Sequence, residues 1–312
     1  MMHEYYATKH IQPTFADLDE AGLIAYEAMR KRVFNRLRFP AEMFYGKSVL
    51  EFGPDTGENA LVFSQWGANM TLVEPNAKAH PFIHKYFSRF GLMLDHVIES
   101  DLMDFSTTEE FDIVDAEGFI YTIPSSLWLR KIHPMLKKDG FLIVTYLEKN
   151  GSLIELLTKA IHAYYKSQWK SASCVAEGLF WKKWNTIPHT RSLESWFMDV
   201  IENPYVSIKY MIDPVELMRD AYANGYRLYS SWPAYDSSSR WIKSPFGKDA
   251  ELNDSIGFIE RTTAVTHDEM KVTLDVLDLM GNGGDLMNYC NTDPTFLKTW
   301  GNPNHYAVFQ KI

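Results

Sequence analysis

Between residues 48 and 148, short apolar runs alternate with stretches of helical periodicity, and this alternation limits the fold more than any other feature. Runs at 47–53, 70–74, 92–98, 111–116 and 141–147 read as strands: they are rich in β-branched and apolar residues, and the first two are closed by Gly53 and Pro75. Between them, 57–66, 79–90 and 124–138 have helical character, the last two stopping at Gly91 and Gly140. Such an order is that of βαβ units around a mostly parallel sheet. An amphipathic helix over 14–39 precedes it, with Asp17 and Asp19 near its start. Leu23, Ile24, Met29, Val33, Phe34 and Leu37 form its expected apolar face, and Pro40 ends it. After residue 150 the pattern loosens. A helix is expected over 152–170 and another over 213–223, with strands at 226–232 and 305–311.

The 312 residues leave room for one large domain with insertions or for two domains. With 31 basic against 40 acidic residues and a net charge of −9, no basic face for a nucleic acid or a membrane surface is expected. The short cluster Arg30, Lys31, Arg32, Arg36 and Arg38 follows helical spacing and reads as a solvated face. Cys174 and Cys290 stand in no metal-ligand spacing, so no metal site is expected. No signal peptide and no apolar run of about 18 residues appears, which makes a cytoplasmic location the default expectation.

The chemistry is concentrated in Val49, Leu50, Glu51, Phe52, Gly53, Pro54, Asp55, Thr56 and Gly57, followed by Glu74 at the tip of the second strand. A strand that turns through glycine into a helix brings backbone amides close to a ligand, and an acid on the next strand can accept both hydroxyls of a ribose. The spacing from Gly53 to Gly57 departs from the dinucleotide fingerprint. Glu51 at the head of the turn suits a cationic ligand better than a pyrophosphate. Asp101 after the third strand can accept from an adenine amino group, with Leu102 offering its amide.

These segments together resemble the class I S-adenosylmethionine (SAM)-dependent methyltransferase family, in its small-molecule branch. The stretch 51–57 is similar to the family's first motif, Glu74 stands at the ribose position and Asp101 at the adenine position. Residues 111–124 resemble the fourth strand with its following loop, and 133–144 the helix end leading into strand five. The resemblance implies a Rossmann-like seven-stranded, mostly parallel sheet with helices on both faces, closed by 226–232 and 305–311 as an antiparallel pair. Helical, aromatic-rich cap insertions are expected around it. It implies a division into an N-terminal helical lid (1–46), a SAM-binding core (47–150, resumed at 211–232 and 304–312) and two insertions (151–210 and 233–303). SAM is the implied cofactor and S-adenosylhomocysteine the product. Glu51, Gly53, Pro54, Gly57, Glu74, Asp101, Leu102 and Glu117 are the cofactor-binding candidates, Glu117 bordering the methionine end.

Two departures bear on mechanism: Asp55 replaces the usual middle glycine, and Tyr121 with Thr122 stand where many relatives carry an acid and a histidine. Tyr121 and His189 are the candidate catalytic residues, the imidazole because it titrates near neutrality. His162 and His133 fit helix faces. Trp169, Trp181, Trp184, Trp196, Trp232, Trp241 and Trp300 serve packing or line an acceptor pocket. The expected activity is methyl transfer to an O or N atom of a small molecule, such as a carbohydrate or natural-product intermediate. A nicotinamide-dependent oxidoreductase and a non-catalytic scaffold of the same fold stay open as alternatives, as does a homo-oligomer.

Overall fold

Strands β1 (Ser48–Phe52) and β4 (Phe111–Glu117) are buried along almost their whole length, and strands apolar on both faces belong at the centre of a covered sheet. In the computed structural model, the described residues are 2–9, 18–94, 96–148, 152, 159, 162, 193–207, 209–232 and 304–312. Within them β1 and β4 pair in parallel, β2 (Asn69–Val73) pairs with β1, β3 (His96–Ile98) with β2, and β5 (Leu136–Leu147) with β4. β6 (Tyr226–Trp232) and β7 (Asn304–Lys311) form an antiparallel pair, giving a seven-stranded sheet in the order β3-β2-β1-β4-β5-β7-β6. The mostly parallel Rossmann-like α/β sheet read from the sequence is therefore present. Its two faces are both covered: Val49, Ile113 and Ile143 on one side and Leu50, Val114 and Val144 on the other are at most 1% exposed.

Among the described residues the helices are α1 (Met2–Lys9), α2 (Glu20–Arg36), α3 (Glu58–Gln65), α4 (His80–Arg89), α5 (Ser125–Ile132), α6 (Leu193–Val200) and α7 (Pro214–Ala223). α2 starts at Asp19, whose carboxylate accepts from the Gly22 N–H at 2.7 Å, an N-cap that satisfies one orphan donor of the first turn. It is shorter than the sequence suggests. It ends at Arg36 because the chain turns through Arg38 at φ 53° before Pro40. Leu23, Phe34 and Leu37 are buried as expected, whereas Ile24 and Met29 face outward. Phe34 meets Phe44, Phe63 and Trp66 edge-on at 5.4–5.5 Å, and Phe44 stacks on Phe63 at 4.5 Å. These rings seat the C-terminal half of α2 over Val49, Ile113 and Ile143.

The helix expected over 124–138 is also shorter. α5 stops at Ile132 ahead of Pro134, and residues from Leu136 onward already belong to β5, with Asp139 turning at φ 61°. Tyr226 of β6 donates to the Leu129 carbonyl at 3.1 Å, and Ser125 of α5 hydrogen-bonds Asp220 of α7.

By internal contacts the chain divides into two units. Met1–Tyr146, Pro214–Tyr235 and His305–Ile312 form the first, and Leu147–Asp213 with Asp236–Asn304 the second. The N-terminal helices thus belong to the same unit as the sheet. In the second unit, Lys159 donates to the carbonyls of Ile201 and Asn203, both at 2.7 Å, and burial lowers its pKa to about 8. His162 pairs with Glu202 at 3.1 Å and lies edge-on to Phe197. The expected helix over 152–170 lies for the most part outside the described residues, as do Trp169, Trp181, Trp184, Trp241 and Trp300, together with Cys174 and Cys290. Trp232 is described: the Arg36 guanidinium lies 4.9 Å from its ring centroid. Among the described residues no helix is long and apolar enough to cross a membrane.

Candidate active site

The turn from β1 into α3 is built from three left-handed positions, Gly53 (φ 66°), Asp55 (φ 51°) and Gly57 (φ 87°). A Cβ at Gly53 would sit 3.0 Å from the Phe119 ring, so only glycine allows both the backbone angle and this close approach. Asp55 keeps the backbone conformation that a middle glycine would adopt. Its strain is opposed by a hydrogen bond, since the Asp55 N–H donates to Glu74 Oε2 at 3.0 Å. Glu74 Oε1 accepts from the Asn76 N–H at 2.7 Å. One carboxylate thus ties the glycine turn to the tip of β2. Glu74 is only 5% exposed, and its burial pushes the pKa up to about 7 in spite of the two amide donors.

A second group of acids lies on one face of the sheet. Glu51 is the register partner of Asp115 across β1 and β4, and Glu117 is two residues further along β4, so the three side chains share a face. That face is the one on which Val49, Ile113 and Ile143 form the core; toward the carboxyl ends of the strands it turns from apolar to acidic. Glu51 Oε2 and both oxygens of Asp115 are buried with no donor among the described residues. Burial, with the neighbouring carboxylates adding to it, raises the pKa of Glu51 and of Asp115 well above the ordinary carboxyl range. Among the described residues no three His, Cys, Asp or Glu side chains converge as metal ligands.

Facing this row is Arg30 of α2, which the sequence reading placed on a solvated surface. The structure corrects that expectation: Arg30 is 3% exposed and donates to both oxygens of Glu117, at 3.0 and 2.5 Å. Its guanidinium also lies over the rings of Phe34 and Phe63, at 4.9 and 5.6 Å. The reason is helical phase. Tyr26, Arg30 and Phe34 follow one another at intervals of four and therefore share a stripe, whereas Lys31 and Arg32 point elsewhere. Tyr26 donates to Asn59 Oδ1 at 2.7 Å. Arg30 and Asp115 are the two residues sequence reading missed. The four-residue phase of Arg30 with Phe34, and Asp115 set between Val114 and Ala116 inside a strand, were the available signals.

The remaining candidates are placed as follows. Asp101 Oδ1 accepts from the Met103 N–H at 2.7 Å and the Asp104 N–H at 3.1 Å, an Asx turn just beyond β3, with Leu102 buried beside it. Pro54 is buried, and the Gly57 N–H donates to its carbonyl at 2.8 Å. Tyr121 is 7% exposed in the single turn Ile120–Thr122 that follows β4. His189 lies outside the described residues. His133 packs edge-on to Tyr226, and burial lowers its pKa.

A parallel sheet with a glycine turn after its first strand and a carboxylate at the tip of its second is the framework of an adenosyl-binding enzyme. The family described as Methyltransferase domain matches residues 25–231, and the chain belongs to that family. It therefore carries a methyltransferase domain. No curated protein matches the chain. Among solved structures, it is similar to TehB from Haemophilus influenzae (12% identity, 47% of this chain and 46% of that one, TM-score 0.32). It is also similar to PKMT2 from Rickettsia typhi (12% identity, 88% and 52%, TM-score 0.47). A third is coclaurine N-methyltransferase bound to N-methylheliamine and S-adenosylhomocysteine (16% identity, 96% and 76%, TM-score 0.45). The chain spans about half the length of the first two, and the family match alone carries the assignment.

The residues present fit SAM as a methyl donor. Glu51, buried without a donor for Oε2, suits a cationic group, and Glu74 keeps lone pairs for hydroxyl donors.

Proposed function

We propose that the protein transfers a methyl group to an O or N atom of a small molecule, with the donor held at the carboxyl ends of β1, β2 and β4. The observation that carries this reading is the buried Glu51 carboxyl, lacking a donor for Oε2, beside the left-handed turn at Gly53. In this reading, the turn at Gly53, Pro54 and Gly57 receives the methionyl end beside Glu51 and Glu117. Glu74 accepts the ribose hydroxyls, and Asp101 with the Leu102 amide meets the adenine. SAM supplies a methyl group already activated on a sulfonium. The residues then have to align the acceptor and keep out water, which for an amine of suitable pKa suffices and for a hydroxyl calls for a base. Tyr121, just after β4, is the candidate to border the acceptor; His189 is the candidate base. A net charge of −9 favours a neutral or cationic small acceptor over a polyanion.

Calorimetric titration of the purified chain with SAM, S-adenosylhomocysteine and NAD tests the donor site. Labelled-methyl transfer over amines, phenols and sugars, with protein and nucleic acid as controls, tests the acceptor class. Saturable SAM binding with label on small molecules is expected. Tight NAD binding without SAM binding, or label on polymers alone, would refute the reading.

A further inference from the structure

We propose that Arg30 is a positioning residue of the donor site, holding Glu117 in a two-point pair above Glu51 and Asp115 so that this acidic row can ionise when a cationic donor arrives. The inference rests on the functional reading above and deepens it. Arg30 reaches the row from α2, an element outside the glycine turn and the strand tips.

The argument is one of charge balance. Glu51, Asp115 and Glu117 are at most 2%, 0% and 12% exposed, and Arg30 is the cation that faces them. A buried ion pair retained for stability has its remaining polar atoms satisfied. Here Arg30 Nε, Glu51 Oε2 and both Asp115 oxygens are buried without partners among the described residues. Four orphaned atoms in one layer are costly, and a ligand able to donate to the acids removes the cost.

The groups facing the row come from every packed element. α2 brings Tyr26 and Arg30, and α3 brings Glu58, which accepts from Thr56 Oγ1. From the sheet, β2 contributes Glu74, β5 Thr145 and β7 Tyr306, the last with its pKa raised to about 12 by burial. Like-charged Glu58, Glu74 and Glu117 all push Glu51 toward its protonated form, while Arg30 pushes it and Asp115 the other way. Burial and these neighbours thus bias Glu51 and Asp115 toward their protonated forms. Arrival of a sulfonium or ammonium releases protons, and Arg30 sets the pH at which that release is possible.

The test is SAM and S-adenosylhomocysteine binding to the full chain, measured across pH by calorimetry, for native protein, Arg30→Met, Arg30→Lys and Asp115→Asn. Arg30→Met is expected to weaken SAM at neutral pH about tenfold or more, with the midpoint of the pH dependence displaced to alkaline values. Arg30→Lys should restore most of the midpoint by returning the charge, without the two-point geometry. Asp115→Asn, which removes a like charge beside Glu51, should displace it to acid. S-adenosylhomocysteine, lacking the sulfonium charge, should lose less.

A folded Arg30→Met variant with native affinity and midpoint overturns the proposal. If that variant does not fold, unchanged midpoints in both Arg30→Lys and Asp115→Asn overturn it. If native protein binds no SAM, the functional reading fails first. Carboxyl carbon NMR titration of Asp115 in unliganded protein, with and without Arg30→Lys, then decides: identical titrations overturn the role of Arg30.

Discussion

Replacing Glu74 by glutamine separates its structural task from its proposed ribose contact, and the size of each effect can be worked from its surroundings. Burial displaces its pKa from the ordinary 4.5 to about 7. At about 1.4 kcal/mol per pH unit this corresponds to roughly 3 kcal/mol by which the folded chain prefers the protonated form. Between these values the folded protein binds more protons than the unfolded chain. This contribution to stability is therefore complete below about pH 4.5 and lost as the pH rises through about 7. Glu74→Gln has no such dependence. Measured by urea unfolding at about pH 5 and about pH 8, the variant should gain up to roughly 3 kcal/mol relative to native protein over that interval. Donor binding should move the opposite way. The glutamine presents one acceptor where the carboxylate presented two, and its NH2 confronts the N–H of Asp55 or of Asn76. Loss of charge-assisted bonds to a ribose should weaken SAM by about 2 kcal/mol, or roughly thirtyfold, at alkaline pH. Native affinity should strengthen as the pH rises through about 7, and the affinity of the variant should stay flatter. Calorimetry reads both. Equal SAM affinity of the two proteins at alkaline pH would refute the ribose contact, and parallel pH–stability curves would refute the assigned burial.

Two further outcomes follow from the geometry. Asp112 Oδ2 accepts from the Ser48 N–H and Oγ and from Lys137, and these partners outweigh its burial and bring its pKa down to about 2. Asp112→Asn should therefore cost about 1 kcal/mol at neutral pH after solvent screening, a difference that is present above about pH 4 and vanishes as the pH falls through about 2 in acid unfolding. At Gly53 an added methyl group meets the Phe119 ring at 3.0 Å in a left-handed backbone, so Gly53→Ala should cost about 1–2 kcal/mol in thermal unfolding. It should also raise the KM for SAM more than it lowers kcat; an unchanged KM would remove the close approach from the argument.

The parallel core was legible because its strands are apolar on both faces and its turns carry Gly53, Gly57 and Pro75, signals that survive without tertiary context. The strand-end positions of Glu51 and Glu74 were legible for the same reason. Arg30 was not: a cationic cluster on a helix reads as solvated unless its phase is compared with Phe34. Asp115 is a carboxylate in the middle of an apolar strand, and only the facing Glu51 shows it to be part of a row. α5 ends before the point its periodicity suggests because Pro134 outweighs the helical propensity of the lysines beyond it. Hydrophobicity alone points Ile24 and Met29 inward, though single exposed apolar side chains are ordinary on a protein surface.

The strand order carries a lesson about assembly. β6 joins the sheet through β7, which the chain reaches only after the long segment between Trp232 and Asn304. Nascent chain that has emerged as far as Trp232 can close the half of the sheet at β1, β2 and β4 from local crossovers. It must leave β6 without its ladder partner in the meantime. Pairing across such a span is slow, so the sheet edge at Tyr226–Trp232 is the place where a chaperone or a second nascent copy would find an open strand.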